Sequence, residues 1–455
     1  MSSSAATEIP AETAAPAPVR LRRNLKFQTL WAGQAAASLG MGVADVAYPL
    51  AILAFTGSPA RAGLFAAVQM TGMLLAGLPA GQLADAVDRQ LIVIFAATGR
   101  ALVSAVVVAG LVSGFLSLPI LLAAAALLGV GQAVSSAAGL PLIRSVVPAS
   151  QLNSALIQDE VRTNGALLVG PPLAGALYGI RVLSHAVPFV FIAGAFAMAA
   201  VCAALMTVVP AAPGSAKPVR PARPATPDAA PSEPRPSEPR PSEAASAAAA
   251  PAPGGMLSGI ATLWANPVLR AAMLLIMIVN LTGAGLDLVI IVILRQQHVP
   301  AGGIGLALGA GAVGGLAGAP LVRVLHRLQP GVLLLSVGLL WVPLFALLAI
   351  PAGPWWAAGL MLAGMLAVPS VRVLVDVLVF RQTPDDQRGR VVAAVMTLIG
   401  LGMPAGVAGA GLLLQSVPAS AAVLMLAGLL AAGVLYCASQ RELWRARWPQ
   451  QAVGN

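Results

Sequence analysis

Cysteine is nearly missing from this chain. Cys202 and Cys437 are the only two in 455 residues, and both lie inside apolar runs, so no disulfide framework or thiolate metal site is expected. Histidine is almost as scarce, and His185, His298 and His326 stand far apart in sequence. No metal-ligand spacing, no nucleophile–base constellation and no Walker-type phosphate loop occurs, so the chain is expected to be no enzyme, to hydrolyse no ATP and to need no metal or cofactor. Aromatic residues make up 4%, too few to line a sugar site with stacked rings. Charged residues make up only 9%, against 58% hydrophobic, with a mean hydropathy of +0.87. No soluble domain of this size has that balance. The apolar–polar alternation of a membrane β-barrel is absent as well. The net charge of +10 invites a nucleic-acid reading, but the arginines are scattered singly at the ends of apolar runs, with no basic stripe.

What remains is long uncharged runs, each able to cross a bilayer as a helix of about 20 residues. Spans are expected at 27–56, 62–86, 90–114, 118–143, 153–180 and 185–209, then at 264–294, 302–326, 330–350, 354–381, 388–417 and 420–440. The expected fold class is therefore an all-α polytopic membrane protein, with twelve transmembrane helices in two pseudo-symmetric six-helix halves, 25–209 and 256–440. Residues 1–24 read as a disordered tail. They have no apolar core and so do not read as a cleavable signal peptide; the first span is expected to act as an uncleaved anchor. Residues 210–255 are rich in Pro, Ala and Ser, with a five-residue repeat between Pro231 and Glu243. Such a segment cannot bury a core and reads as an extended linker. Residues 441–455 form a second tail.

Basic residues orient the spans. Arg20, Arg22, Arg23, Lys26, Arg89, Arg323, Arg327, Arg381, Arg388, Arg390, Arg441, Arg445 and Arg447 fall on one side, and only Arg61, Arg181 and Arg295 on the other. By the positive-inside rule both termini and the linker are cytoplasmic, in the cell membrane.

The halves repeat at an offset of about 236 residues. Arg144…Pro148…Gln151 before the fifth span matches Arg381…Pro384…Gln387 before the eleventh. Gly170-Pro171-Pro172-Leu-Ala-Gly175 is answered by Gly402-Met-Pro404-Ala-Gly406. A duplicated six-helix unit is a transporter design, with the substrate site between the halves near mid-membrane. Between the second and third spans stands Gly81-Gln-Leu-Ala-Asp85-Ala-Val-Asp88-Arg89, a short charged turn of pattern G-x-x-x-D-x-x-x-R. Its second-half counterpart, Ala319-x-x-x-Arg323-x-x-x-Arg327, is basic where the acid should be.

With this turn, the span count and the central linker, the chain resembles the major facilitator superfamily. Within it, Asn24-Leu-Lys-Phe27, Ser38-Leu-Gly40, Thr56-Gly-Ser-Pro59, Val147-Pro148, Gly170-Pro171 and Arg388-Gly-Arg390 look like the branch of macrolide-efflux and enterobactin exporters. The resemblance implies that Gly81, Asp85, Asp88 and Arg89 form a gating motif. Asp85 would pair with Arg388 and Arg390 at the start of the eleventh helix. It also implies that Gly170, Pro171, Gly175 and Pro404 form an antiporter-like motif. Three features depart from the pattern: Ala86 replaces a basic residue of the turn, Leu127–Gln132 lacks the arginine that many proton-coupled exporters carry on the fourth span, and the second-half turn has lost its acid.

Charges inside the spans are the remaining candidates. Asp45 and Asp287 lie mid-span in the first and seventh helices. An ionisable group in hydrocarbon is costly and by default faces a cavity. There it suits proton coupling, recognition of a cationic substrate, or pairing with an arginine. Arg100, in the third span, needs a partner, water or an anionic substrate group. Arg372 and Asp376 are spaced i, i+4 and can pair on one helix face. The expected function is export of a small hydrophobic or amphipathic molecule (a drug, antibiotic or secreted metabolite) by alternating access and proton antiport. Uptake of a polar metabolite, or a non-transporting membrane sensor, are the alternatives. The expected partners are the small-molecule substrate, protons and the lipid bilayer, with no nucleic acid, and the chain is expected to act as a monomer.

The latch reading gives a test. Asp85→Asn removes a charge-assisted pair, so transport should fall about tenfold while the amount of folded protein in the membrane is unchanged. Transport assays normalised to membrane level check it, and undiminished transport would remove the latch.

Overall fold

The computed structural model describes residues 21–180, 186–206, 264, 267–325, 328–374 and 388–440. The tail before residue 21, the 210–255 linker, the tail after residue 440 and Asp376 lie outside the described residues. Among those described, the long helices are α1 (Leu25–Thr56), α2 (Pro59–Ala86), α3 (Arg89–Ser113), α4 (Leu118–Val146), α5 (Leu152–Gly179), α6 (Val187–Leu205), α7 (Pro267–Gln296), α8 (Ala301–Gly318), α9 (Pro330–Leu348), α10 (Pro354–Met365), α11 (Arg388–Ser416) and α12 (Ala419–Ser439). Among the described residues ten helical stretches, Pro354–Leu374 counted as one, are long and apolar enough to cross a membrane. Helix α5 is not among them because Asp159, Glu160 and Arg162 crowd its first half.

Local chemistry sets the ends. Gly57 and Gly114 close α1 and α3 in the left-handed region, at φ 64° and 74°, where a side chain would be strained. Ser58 and Asp88 then cap α2 and α3 by accepting from the amides of Arg61 and Gln90. Asn24 caps α1 and also donates its Nδ2 to the Val146 carbonyl at 2.8 Å, pinning the start of α1 to the end of α4.

Two of the expected spans are interrupted near proline. Helix α8 ends at Gly318, and a separate turn, Val322–Leu325, follows Pro320. The helix at 354–374 breaks at 366–367, the residues just before Val368-Pro369. In each case the proline lacks an N–H and its ring clashes with the carbonyl four residues back.

The helices pack as two repeats of one plan. In the first half α1 packs on α5 and α6, α2 on α4, and α3 on α4 and α6; in the second, α7 packs on α11 and α12, α8 on α10, and α9 on α12. Among the described residues two pairs carry most of the contact between the halves, α2 with α11 and α5 with α8, and α1 and α2 also touch α7. Lipid offers no hydrophobic force between helices, so close approach at small residues holds them. A Cβ on Gly63 would sit 2.7 Å from the Val407 carbonyl, and one on Gly411 2.8 Å from the Pro59 carbonyl. On the other pair, Gly175 meets the Ala301 carbonyl, and Gly305 meets that of Pro171. Hydrogen bonds from Ser58 to Gln415 at 2.7 Å and from Arg295 to the Leu50 carbonyl at 3.3 Å cross the halves nearby. All these contacts lie at one end of the bundle, which is sealed.

The contacts also define the internal repeat. Pro59 and Ala301, Gly63 and Gly305, and Asp45 and Asp287 are each 242 residues apart (287 minus 45). Gly170 and Gly406, which press on α1 and α7, and Gly175 and Gly411, which press across the halves, are each 236 apart (406 minus 170). At that offset Pro171 corresponds to Val407, whose carbonyl faces Gly63 as that of Pro171 faces Gly305. Pro404 therefore stands about a turn before the place of Pro171. At the α2/α8 separation the place of Asp85 falls on Arg327, outside the described residues, rather than on Arg323; both are basic.

Overpacking a close contact costs about 1–3 kcal/mol, or roughly five- to a hundredfold in the ratio of sealed to unsealed states. Gly175→Val should therefore open the sealed end, whereas Gly179→Val, with nothing within 4 Å of its Cβ, should not. Labelling of an Ala66→Cys cavity reporter by an impermeant maleimide, in a background without Cys202 and Cys437, checks this. Equal labelling in both variants would show that the contact does not hold the seal.

Candidate functional site

Between the halves lies a cavity of about 510 Å³, walled by α1, α2 and α4 on one side and by α7 and α11 on the other. Most of its lining is Ala, Gly, Leu and Met. Met41, Met70, Met73 and Met403 contribute flexible thioethers, and Phe65 an aromatic wall. Phe65 is fixed from behind by Tyr48, stacked at 4.6 Å, and Tyr48 in turn meets Phe189 edge-on at 5.0 Å.

Asp45 and Asp287 both open into this cavity. From Gly42 to Leu53 every residue is buried except Asp45, and from Gly285 to Val292 every residue is buried except Asp287. Each carboxylate thus breaks an otherwise buried stretch of helix at pseudo-symmetric positions. The structure brings together two of the charges singled out in the sequence, on opposite sides of one cavity. Gln69 and Gln132 add the carboxamides of α2 and α4. The sequence carried no signal for Gln69, since a lone glutamine in an apolar run is unremarkable.

Arg100 lies one layer back. It is 4% exposed and donates to Gln132 Oε1 at 2.7 Å, to Ser135 Oγ at 2.8 Å and, weakly, to the Ala96 carbonyl at 3.4 Å. Its guanidinium also lies 4.5 Å over the Phe196 ring, a cation–π contact. Its partners are thus all neutral, with no carboxylate among them and no direct position on the central cavity. In the second half, Trp341 ties α9 to α10 by donating Nε1 to the Gly364 carbonyl at 2.9 Å.

The remaining candidates are peripheral to the cavity. Asp85 and Arg89 are exposed at the end opposite the seal. Asp88 is exposed there too and serves as the α3 cap. Arg388 and Arg390 begin α11, and their side chains lie outside the described set. Gly170 presses on Gly42 of α1, while Gly175 presses on α8, so the Gly-Pro stretch packs with one face in each half. Arg372 is exposed, and its expected partner Asp376 is outside the described residues. Arg162 pairs with Asp159 at 2.7 Å.

A helical membrane protein in two related halves around a central cavity is a transporter, not an enzyme. The chain belongs to the Major Facilitator Superfamily, which it matches over residues 30–407. No curated protein matches its sequence. Among solved structures it is similar to a bacterial homologue of the human lysosomal transporter Spinster, inward-facing and unoccupied, at 15% identity and TM-score 0.66, covering 95% of this chain and 100% of that one. It is also similar to a bacterial homologue of the iron transporter ferroportin in its inward-facing state, at 17% identity and TM-score 0.65, covering 94% and 100%. The nucleoside transporter NupG matches at 12% identity and TM-score 0.64, covering 92% and 99%. At these identities the likeness is one of fold.

The cap geometry separates Asp88 from Asp85. Asp88→Ala should lower stability by about 1 kcal/mol, and Asp88→Asn, an equally good cap, should be close to neutral. Thermal stability of the detergent-solubilised variants reads this out; equal loss in both would mean that the charge, not the cap, is what Asp88 supplies.

Proposed function

We propose that the chain exports a small hydrophobic or amphipathic molecule, such as a drug, an antibiotic or a secreted metabolite, across the cytoplasmic membrane, with protons moving inward in exchange. The observation that supports this is a mostly apolar cavity between the halves, interrupted by two carboxylates at equivalent positions. An apolar wall desolvates an amphipathic guest at little cost. A carboxylate there is the group whose charge state can couple to a proton gradient.

With both termini cytoplasmic, the sealed end is the outer one and the cavity faces inward. The Spinster and ferroportin homologues that share the fold are themselves described as inward-facing. Alternating access then consists of parting the α2–α11 and α5–α8 contacts while the inner ends close. Asp85, Asp88 and Arg89, with Arg388 and Arg390, form the inner latch in this reading, and the exposure of Asp85 fits a latch undone in the inward-facing state. A gate requires such a contact to differ between two states. Gly170, Pro171, Gly175 and Pro404 supply the bends and close approaches on which the halves rock. The protein acts as a monomer.

Expression in a pump-deficient host should lower accumulation of a substrate severalfold, and a protonophore should restore it. In proteoliposomes, Asp45→Asn and Asp287→Asn should each cut pH-driven flux by about tenfold or more while leaving exchange without a gradient in place. If both variants kept full pH-driven flux, these carboxylates would have no part in coupling. If expression raised accumulation, the direction would be import.

A further inference from the structure

Among the described residues, Gln132 is the one cavity-lining residue held by a buried cation. A guanidinium has five N–H donors and no acceptor, so the 2.7 Å contact with Arg100 fixes which way the amide points. Its Oε1 faces Arg100, and its Nε2 must face away. The nearest partner of Nε2 is Ser136 Oγ at 3.5 Å, at the limit of a hydrogen bond, which leaves donor capacity free toward the cavity. Gly131 makes this arrangement possible: a Cβ there would lie 2.8 Å from Arg100 Cγ, so only glycine lets the arginine stem pass beside α4. Ser135, one turn on, anchors the other guanidinium nitrogen at 2.8 Å.

The cavity therefore has a polar order. On α1 and α7, Asp45 and Asp287 offer only acceptors when ionised. On α4, Gln132 offers a donor that cannot flip into an acceptor while Arg100 is in place. Thioethers and the Phe65 ring fill the space between, and both are soft, polarisable surfaces that suit a delocalised or alkylated cation.

We propose that Arg100 is a positioning residue for Gln132, and that the cavity selects an amphipathic organic cation that also carries a hydrogen-bond acceptor. The cationic end sits toward Asp45 and Asp287, and the acceptor, a carbonyl, ester or ether oxygen, takes the Gln132 Nε2 proton. This rests on the reading of the cavity as the substrate site. It adds a specificity that an apolar cavity with two acids would lack, because a cation of equal size without an acceptor leaves the Gln132 donor unpaired.

The test uses two phosphonium cations of similar size, both charged at neutral pH: benzyltriphenylphosphonium, which has no acceptor, and (ethoxycarbonylmethyl)triphenylphosphonium, which has an ester. Their binding to the purified full chain is measured by equilibrium dialysis, and the ratio of the two affinities is the readout. A structural defect would weaken both cations together and leave the ratio alone. The wild type should favour the ester cation about fivefold, the worth of one neutral hydrogen bond. Gln132→Leu should bring the ratio to one. Gln132→Glu, which keeps a partner for Arg100 and so keeps the fold, should do the same, because a carboxylate has no proton to donate. Arg100→Met, which frees the amide to turn without removing its N–H, should lower the ratio part of the way; a ratio unchanged in Arg100→Met overturns the positioning role. Asp45→Asn with Asp287→Asn should weaken both cations about tenfold or more with the ratio intact. A wild-type ratio of one, or a ratio that survives Gln132→Leu, overturns the donor assignment while leaving the cavity as the site. Failure of the wild type to bind either cation overturns the cation class. Binding that is indifferent to the double aspartate change shows that the cavity is not the site at all, which is a failure of the underlying reading.

Discussion

Backbone against backbone, at the few places where the halves touch, is the contact on which the rest of this structure depends. Inside a bilayer an apolar side chain is as well solvated by lipid as by another helix, so burial alone cannot decide which helices associate. What decides it is how closely two backbones can approach. Gly63 against Val407 and Gly411, and Gly175 and Gly305 against Ala301 and Pro171, bring α2 to α11 and α5 to α8 with no side chain between them. Remove that closeness and the cavity has no closed end, Asp45 and Asp287 face no common space, and the molecule has nothing to alternate.

The repeat shows why two interfaces and not one. The same glycine positions press inward on α1 and α7 and outward on α8 and α2, so each of α5 and α11 carries one contact within its half and one across it. Prolines inside α1, α2, α4, α5, α9 and α11 free backbone carbonyls that neighbouring helices can re-satisfy, and these helices run on unbroken through them.

The halves are alike in packing and unlike in charge. The two cavity carboxylates keep the symmetry. Arg100 breaks it, because α9 and α10 are tied by Trp341 where α3 and α4 are tied by a cation. The charged turn after α2 breaks it again, with Asp85 in one half and only basic residues near its place in the other. A symmetric frame with asymmetric charges suits a machine whose two ends open to different sides and whose cavity must hold a guest in one orientation. Arg100 contributes to that orientation through a neighbour, which is how a buried charge acts on a cavity it does not touch.

Much of this was legible in the chain itself. The bilayer-spanning runs, the division into halves, the two mid-span aspartates and the proline and glycine positions follow from hydropathy and backbone chemistry, which act on each stretch locally. The Pro320 and Pro369 breaks were legible in kind but passed over, because the runs around them stay apolar. What only the tertiary structure decided is everything that pairs distant residues: the sealed end, the common cavity of Asp45 and Asp287, the neutral partners of Arg100 and the fixed donor on Gln132. The physical reason lies in the helices themselves. They are apolar all round, so the stripe that tells a water-soluble helix which face to turn inward is missing. Which faces meet is set by shape, glycine by glycine, between residues as far apart as Gly63 and Gly411.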